Sequence, residues 1–231
     1  AYCRRLLLEG ARDEMPEFVA GDHLLIFAPN AEDVVLDVAD RLGVELEAVL
    51  RLEALGREKL PILCDGNRVR VDDLLRRCVE LSAPLTELSQ EMLRLLAQGE
   101  AEGTQFSAGE TLSMVRAVRT CPSLKVKAED LITLCPVMEP RVYSIASTGG
   151  PTIEIFVSHS GGLCASYLED LPPGAEIPMA SVRSSDFHMP DGSSPLILLG
   201  VGSGVAPLAG FVRKLHGEWK SGAFERRTTH E

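Results

Sequence analysis

Hydrophobic and polar residues follow different periods in different parts of the chain, and each period predicts a different kind of element. Residues 4–28 contain the short apolar runs RRLLLEG and HLLIFAP, which flank an acidic turn and are typical of β-strands. From Asn30 the apolar residues recur at helical spacing, which predicts a helix with Asn30 as its N-cap and Gly43 at its end. The same spacing predicts further helices over residues 71–81, 84–98, 108–119 and 127–135.

A period of two returns after Pro140. The segments RVYSIAS and TIEIFVS alternate in this way and are bounded by the turn residues at 149–151, so both are expected to be strands. The segment GGLCASYLEDLPPGAEI predicts a short helix followed by another strand. The last pattern, PLILLGVGSGVAPLAGFVRKL, predicts a buried strand, a glycine loop and a helix, the opening of a parallel α/β unit. The whole pattern indicates an α+β protein in which helices interrupt a β lobe.

Composition and charge narrow the function classes. The chain has 231 residues, of which 45% are hydrophobic and 25% are charged, so it should fold into one large or two smaller domains. Its net charge of −11, without a clustered Lys/Arg surface, argues against a nucleic-acid partner. Residues 195–212 carry no charge, but the glycines and Pro207 among them favour a buried strand and loop over a membrane segment.

The six cysteines contain no C-x-x-C pair and follow no secretory signal, so reduced thiols in the cytoplasm are expected. The histidines are scattered and no metal-ligand spacing occurs, so no metal site is expected. The chain begins at Ala1 and ends on the polar segment FERRTTHE, which we interpret as a piece of a longer protein. This interpretation leaves open a membrane anchor outside the segment.

The glycine loop GVGSGVAPL has two interpretations. Glycines behind a buried strand let a phosphate approach the backbone amides and the positive end of the next helix. Gly200, Gly202, Ser203 and Gly204 fit such a loop, although Val205 stands where G-x-G-x-x-G would have its third glycine. A tight structural turn is the alternative.

Two other segments carry candidate chemistry. In a strand over RVYSIAS, Arg141 and Tyr143 project from the same face, so a guanidinium for a pyrophosphate lies beside a flat ring for an aromatic group. A flavin nucleotide has both features, whereas the alternative is an ordinary strand that exposes both side chains. Gly161 and Gly162 precede the next helix, as either a second anion site or a common helix entry.

The order of these segments carries more information than each of them. A GDH turn in an early strand, a helical block, R-x-Y-S, a G-x-C helix start and G-x-G-[ST]-G-x-A-P occur in succession. In this order they resemble the diflavin reductases, which include the microsomal NADPH-haemoprotein reductase, the reductase half of nitric oxide synthase and the sulfite reductase flavoprotein. The resemblance covers nearly the whole chain, with AGDHLLIFAPNAEDVVLDVADRLGV, VRSSDFHMP and LAGFVRK as further matching segments.

The resemblance implies a fold in three parts and a function. An antiparallel FAD-binding β-barrel would comprise residues 1–29 and 136–192, an inserted helical connecting domain residues 30–135, and a truncated NADP-binding α/β domain residues 193–231. The module would pass electrons from NADPH through FAD to FMN in a flavodoxin-like domain, or to a haem protein. The alternative is a degenerate, non-catalytic FAD-barrel fragment that acts as a binding or scaffold module.

The resemblance also implies roles for individual residues. Arg141 would hold the FAD pyrophosphate, Tyr143 would stack on the isoalloxazine, and Ser144 would lie near the reactive edge of the ring as the catalytic residue. Further FAD and NADPH contacts would come from the two glycine-containing loops, with Gly161, Gly162, Leu163, Cys164 and Ala165 at the FAD pyrophosphate and Gly200, Gly202, Ser203 and Gly204 at the NADPH pyrophosphate.

Three positions depart from the family pattern. Ala165 stands where the family usually has Ser or Thr, with Ser166 one place later. His188 occupies the position of an arginine, and Leu208 replaces a common aromatic residue. The departure at Ala165 predicts the loss of one hydroxyl ligand to the FAD pyrophosphate.

Overall fold

The computed structural model describes residues 2–10, 15–51, 68–97, 111–122, 124–159, 161–185, 187–190 and 195–221. The chain divides into two compact units, of which the first comprises Ala1–Phe27 with Pro140–Glu231 and the second comprises Ala28–Glu139. Both helices and strands are present, so the predicted α+β class is confirmed.

The strands occur in both units. In chain order they are β1 Cys3–Glu9, β2 His23–Ile26, β3 Val49–Arg51, β4 Arg68–Arg70, β5 Arg141–Ser144, β6 Thr152–Ser158 and β7 Met179–Val182.

The α-helices are also numbered in chain order. They are α1 Glu32–Leu42, α2 Val71–Asp73, α3 Glu87–Leu96, α4 Met114–Thr120, α5 Leu131–Leu134, α6 Leu163–Asp170 and α7 Val205–Lys220.

The first unit is built from two antiparallel ladders. β1 pairs with β6 along its whole length, and β2 lies between β5 and β7 in a three-stranded sheet. An isolated bridge between Ile145 and Ile155 joins the two ladders. Among the described strands no pairing connects β7 to β1, so this part of the chain is two joined ladders and not a closed barrel.

A buried carboxylate in β6 pairs with arginines of α7 and β1. Glu154, in the middle of β6, is 5% exposed. Its Oε1 atom lies 2.8 Å from a guanidinium nitrogen of Arg213 in α7 and 3.0 Å from Nε of Arg5 in β1. Close approach of the helix depends on Gly210, because a Cβ there would lie 3.0 Å from Ala20 Cβ. Helix α7 is therefore anchored by charge as well as by apolar packing.

The predicted buried strand before the glycine loop is wrong. The structure has no strand over residues 195–200, and Ile197, Leu199 and Val201 are 86%, 87% and 92% exposed. Apolar composition predicts a buried strand only where neighbouring strands cover it, and none of the described strands pairs with this segment. None of the helices in the described ranges combines the length and the apolar character needed to cross a bilayer.

The second unit contains most of the predicted helices, but its first helix is capped differently from the prediction. The N-cap of α1 is Ala31, while Gly43 ends the helix with a φ of 64°, as expected. Asn30 is 2% exposed, and its side-chain amide donates to the carbonyl oxygens of Leu75 and Val79, both at 2.6 Å. The predicted N-cap is therefore an internal tether.

The helix predicted over residues 71–81 is shorter than expected. Helix α2 passes into a single π-helical turn over Leu74–Cys78, and Val79 is extended and bridges Val137. A π-turn leaves carbonyl groups without their usual helical partners, and the Asn30 amide binds two carbonyls in this region. The helix ends at Cys78 because the chain there joins a β-bridge.

The other predicted helices of the second unit are confirmed with shifted ends. Helix α3 is capped by Thr86, whose hydroxyl accepts from Ser89 N at 3.1 Å. Helix α4 lies within the segment predicted over 108–119 apart from its last residue, although residues 108–110 lie outside the described ranges. A 3₁₀ turn over Ala128–Asp130 leads into α5. The described cysteines form no disulfide, and Cys64 lies outside the described ranges.

Candidate functional site

A cavity of about 380 Å³ opens in the first unit where four segments of the chain meet. It is lined by all four residues of β5, by alternate residues of β6, by the start of α6 and by the turn that leads into α7. Its volume lies within the range of about 300–1,000 Å³ that is usual for ligand pockets. The three motifs singled out in the sequence therefore contribute to one site.

The β5 wall of the cavity is held in place by the middle strand of the sheet. Tyr143 lies opposite Leu24, which is fully buried, and Ser144 lies opposite His23. Because β2 pairs with strands on both sides, the register of β5 is fixed and a one-residue slip would invert its faces. Arg141, Tyr143 and Ser144 all line the cavity.

Tyr143 and Cys164 join β5 to α6 inside the cavity. The Tyr143 hydroxyl donates to Cys164 Sγ at 3.4 Å. Burial, assisted by this hydrogen bond, raises the pKa of Tyr143 well above its ordinary value, and burial also raises the pKa of Cys164. The charge of Arg141 acts on both groups in the opposite direction. At neutral pH the wall thus presents a neutral phenol and a neutral thiol beside a guanidinium.

The start of α6 presents backbone donors to the cavity. Its N-cap is Gly162, which offers no side-chain acceptor to the first-turn amides. Gly162, Leu163, Cys164 and Ala165 line the cavity, so Ala165 places a methyl group where the family pattern usually has a hydroxyl. Ser166 is not among the lining residues. This helix end can accept an anion through its backbone alone.

The second glycine loop reaches the same cavity through Ser203 and Gly204, in the 3₁₀ turn Gly202–Gly204 before α7. Three of the predicted site residues, Gly161, Gly200 and Gly202, do not line the cavity. Gly161 and Gly202 have φ angles of +72° and +59°, which favour glycine. A Cβ at Gly200 would lie 2.8 Å from Leu208 Cδ1, so that glycine allows the loop to pack on its own helix.

Phe156, Ser158 and Ala206 line the cavity but were not predicted from the sequence. Phe156 and Ser158 are two residues apart in β6 and therefore share one face of the strand. The alternating TIEIFVS pattern contained that signal. To assign these two residues to the site, one must also know that β6 lies next to β5, which the pattern does not specify.

The turn before β2 forms hydrogen bonds with a segment after β7 that is distant in sequence. Asp22 is 5% exposed, and its carboxylate accepts from the backbone nitrogens of Val19 at 2.9 Å and Ser184 at 3.1 Å. His188 Nε2 lies 2.8 Å from Asp22 Oδ1. Burial raises the pKa of Asp22, but the hydrogen bonds from His188, Val19 and Ser184 outweigh that effect and hold it below the ordinary value. His188 therefore contacts the aspartate of the GDH turn. The next residue, His23, pairs with Ser144 of the cavity wall.

Comparison with known proteins identifies the family. The model of the FAD binding domain family matches residues 9–151, more than half of the chain. A self-sufficient cytochrome P450 monooxygenase of Phanerodontia chrysosporium is 31% identical over 240 residues, covering 90% of this chain and 22% of that protein. The human inducible nitric oxide synthase is 26% identical over 245 residues, with coverages of 92% and 21%.

The human NADPH–cytochrome P450 reductase is 26% identical over 242 residues, covering 87% of this chain and 35% of that protein. The chain thus spans between about a fifth and about a third of the length of these relatives. It belongs to the FAD binding domain family, as the resemblance implied.

Proposed function

We propose that the chain is the FAD-binding module of an NADPH-dependent flavoprotein reductase, an oxidoreductase that passes electrons from NADPH through FAD to FMN or to a haem protein. One observation carries the proposal: Arg141, Tyr143 and the uncapped start of α6 line a single cavity in a chain of the FAD binding domain family. The names of the relatives, a reductase, a synthase and a monooxygenase, support oxidoreduction as the reaction class.

The residues of the cavity fit a flavin dinucleotide. Arg141 offers a planar fork of donors and the α6 amides offer backbone donors, and both suit a pyrophosphate. Tyr143, held by Cys164, offers a flat and neutral surface on which an aromatic ring system can stack. Ser144 lies on the same strand, where we assign it to the reactive edge of the ring. When bound, FAD supplies the redox chemistry, while the protein orients it and excludes water.

We assign NADPH to the second glycine loop. Ser203 and Gly204 line the same cavity as Tyr143, which supports the approach of a nicotinamide nucleotide to the flavin. Gly200 and Gly202 belong to the same loop, and we assign them with Ser203 and Gly204 to the NADPH pyrophosphate. The electron acceptor, either FMN in a flavodoxin-like domain or a haem protein, is proposed by analogy with the relatives.

The three-part domain assignment also belongs to the proposal. Residues 1–29 and 136–192 would be the FAD-binding domain, whose described strands form two ladders joined at Ile145 and Ile155 instead of the expected closed barrel. Residues 30–135 would be the connecting domain, and residues 193–231 the start of the NADP-binding domain. A cytoplasmic location is proposed from the cysteine pattern of the sequence.

The first test is binding of FAD to residues 1–231. Titration with FAD, followed by the quenching of flavin fluorescence, should give one FAD per chain and a yellow protein after gel filtration. Tyr143→Ala should weaken binding and reduce the quenching, because the stacking surface is lost. Trp219→Ala is the control, since this exposed ring does not line the cavity. A chain that does not retain FAD at micromolar concentrations would contradict the proposal.

A second prediction follows from Ala165. Replacing Ala165 with serine should strengthen FAD binding by about 0.5–1.5 kcal/mol, because a hydroxyl at the cavity wall can add one hydrogen bond to the pyrophosphate. Isothermal titration would measure the change, and Ser166→Ala, outside the cavity lining, should leave the affinity unchanged. Unchanged or weaker binding by Ala165→Ser would mean that the backbone amides already satisfy the phosphate.

A further inference from the structure

Four side chains converge at the C-terminal end of α6. We call Tyr2, Arg4, His159 and Glu169 the Glu169 cluster. The Oε1 atom of Glu169 accepts from the Tyr2 hydroxyl at 2.5 Å and lies 2.9 Å from a guanidinium nitrogen of Arg4. Its Oε2 atom lies 2.7 Å from Nδ1 of His159. One carboxylate therefore connects the start of β1, the residue after β6 and the last turn of α6.

Ring contacts also join members of the cluster. The rings of Tyr2 and His159 stack with centroids 4.9 Å apart and planes 5° apart, and the guanidinium carbon of Arg4 lies 5.2 Å from the Tyr2 centroid. The backbone nitrogen of His159 also donates to the Tyr2 carbonyl at 3.0 Å. The Tyr2 hydrogen bond, with the charges of Arg4 and His159, holds the pKa of Glu169 below its ordinary value. Glu169 is therefore an anion at neutral pH.

The sequence of α6 itself provides little stabilisation at the two ends of the helix. No side chain caps its N-terminus at Gly162, and its last turn contains Glu169 and Asp170 but no basic residue. Acidic side chains at a C-terminal end oppose the helix dipole, whereas cations there stabilise it. Arg4 provides positive charge from β1, and the His159 ring contacts the same carboxylate. The helix whose first turn lines the cavity is thus held in place at its other end.

We propose that Glu169 is a positioning residue for the flavin site: by fixing the last turn of α6 to Tyr2, Arg4 and His159, it sets the position of the backbone donors at the first turn. The proposal rests on the function proposed above, in which this first turn binds the FAD pyrophosphate. An anion at the N-terminus and the Arg4 guanidinium at the C-terminus act on the same dipole, so the two ends should be coupled. Such coupling is reciprocal, and FAD should in turn stabilise the cluster end of α6.

The test compares Glu169→Gln with wild type in residues 1–231. FAD titration should show a dissociation constant about three- to tenfold higher. This change corresponds to the net free energy of about one hydrogen bond. Without FAD, hydrogen exchange should be faster in a peptide covering residues 163–170, and FAD should reduce this difference. Glu169→Asp, which keeps the charge, should recover part of both effects. Glu47→Gln, which removes an exposed ion pair with Arg70, is the matched control.

Two outcomes would overturn the proposal. Unchanged exchange in residues 163–170 together with unchanged FAD affinity would show that the cluster does not position the helix. Exchange accelerated equally in α6 and in the β2–β5 ladder would indicate a general loss of stability instead. If the wild-type chain does not bind FAD, the proposed function fails, whereas the exchange experiment still decides whether Glu169 positions α6.

Discussion

Replacing Arg141 with alanine should weaken FAD binding to residues 1–231 roughly ten- to hundredfold. The expected loss is about 1.5–3 kcal/mol, the contribution of hydrogen bonds to a charged group. Arg141 lines the cavity, and its charge acts on both Tyr143 and Cys164, so the guanidinium lies where a pyrophosphate between β5 and α6 would need it. Fluorescence titration with FAD measures the change directly.

Two variants separate the role of the guanidinium from that of charge in general. Arg141→Lys keeps the charge but loses the planar fork, so its affinity should be intermediate. Arg183→Ala removes an exposed arginine that does not line the cavity and should have little effect. The loss in Arg141→Ala should persist at high salt, because screening is weaker for a partly buried group than for an exposed one. Equal affinity of Arg141→Ala and wild type would refute the assignment of the pyrophosphate to this residue.

The sequence predicts best those elements and side-chain positions that follow from a local hydrophobic period. A period of two predicts β5 and β6, and the side-chain alternation places Arg141 and Tyr143 together without knowledge of the fold. The contact of Tyr143 with Cys164 joins residues 21 positions apart, and the Glu169 cluster joins Tyr2 to a residue 167 positions away. Such pairs follow from strand register and helix docking, which no local pattern specifies.

The wrong strand prediction has an equally local cause. The run before the glycine loop is apolar enough for a buried strand, but burial also requires neighbouring strands, and Ile197 and Leu199 remain exposed. Gly161, Gly200 and Gly202 stay predicted ligand contacts, since loop glycines serve both phosphate approach and turn geometry. They do not line the cavity, and Gly200 packs against Leu208 of α7.

Asn30 shows how a correct local preference can identify the wrong role, and it yields a prediction for the second unit. Asparagine is a favoured N-cap, yet here its amide donates to the carbonyls of Leu75 and Val79, and its Oδ1 accepts from Leu81 N at 3.3 Å. Replacing Asn30 with alanine leaves two buried carbonyls without these donors. At about 1–3 kcal/mol for each group, the second unit should lose about 2–6 kcal/mol of stability.

Hydrogen exchange at the Leu81 amide, which Asn30 Oδ1 accepts from, should report the loss as faster local opening, and urea denaturation should give its size. Asn30→Asp keeps the acceptor but points a carboxylate at two carbonyls, so it should be at least as destabilising as alanine. Thr86→Ala is the comparison variant, because it removes one side-chain cap and should cost about 1 kcal/mol of stability. If Asn30→Ala costs no more than Thr86→Ala, the carbonyls of Leu75 and Val79 find other donors, and Asn30 is not the tether that the structure indicates.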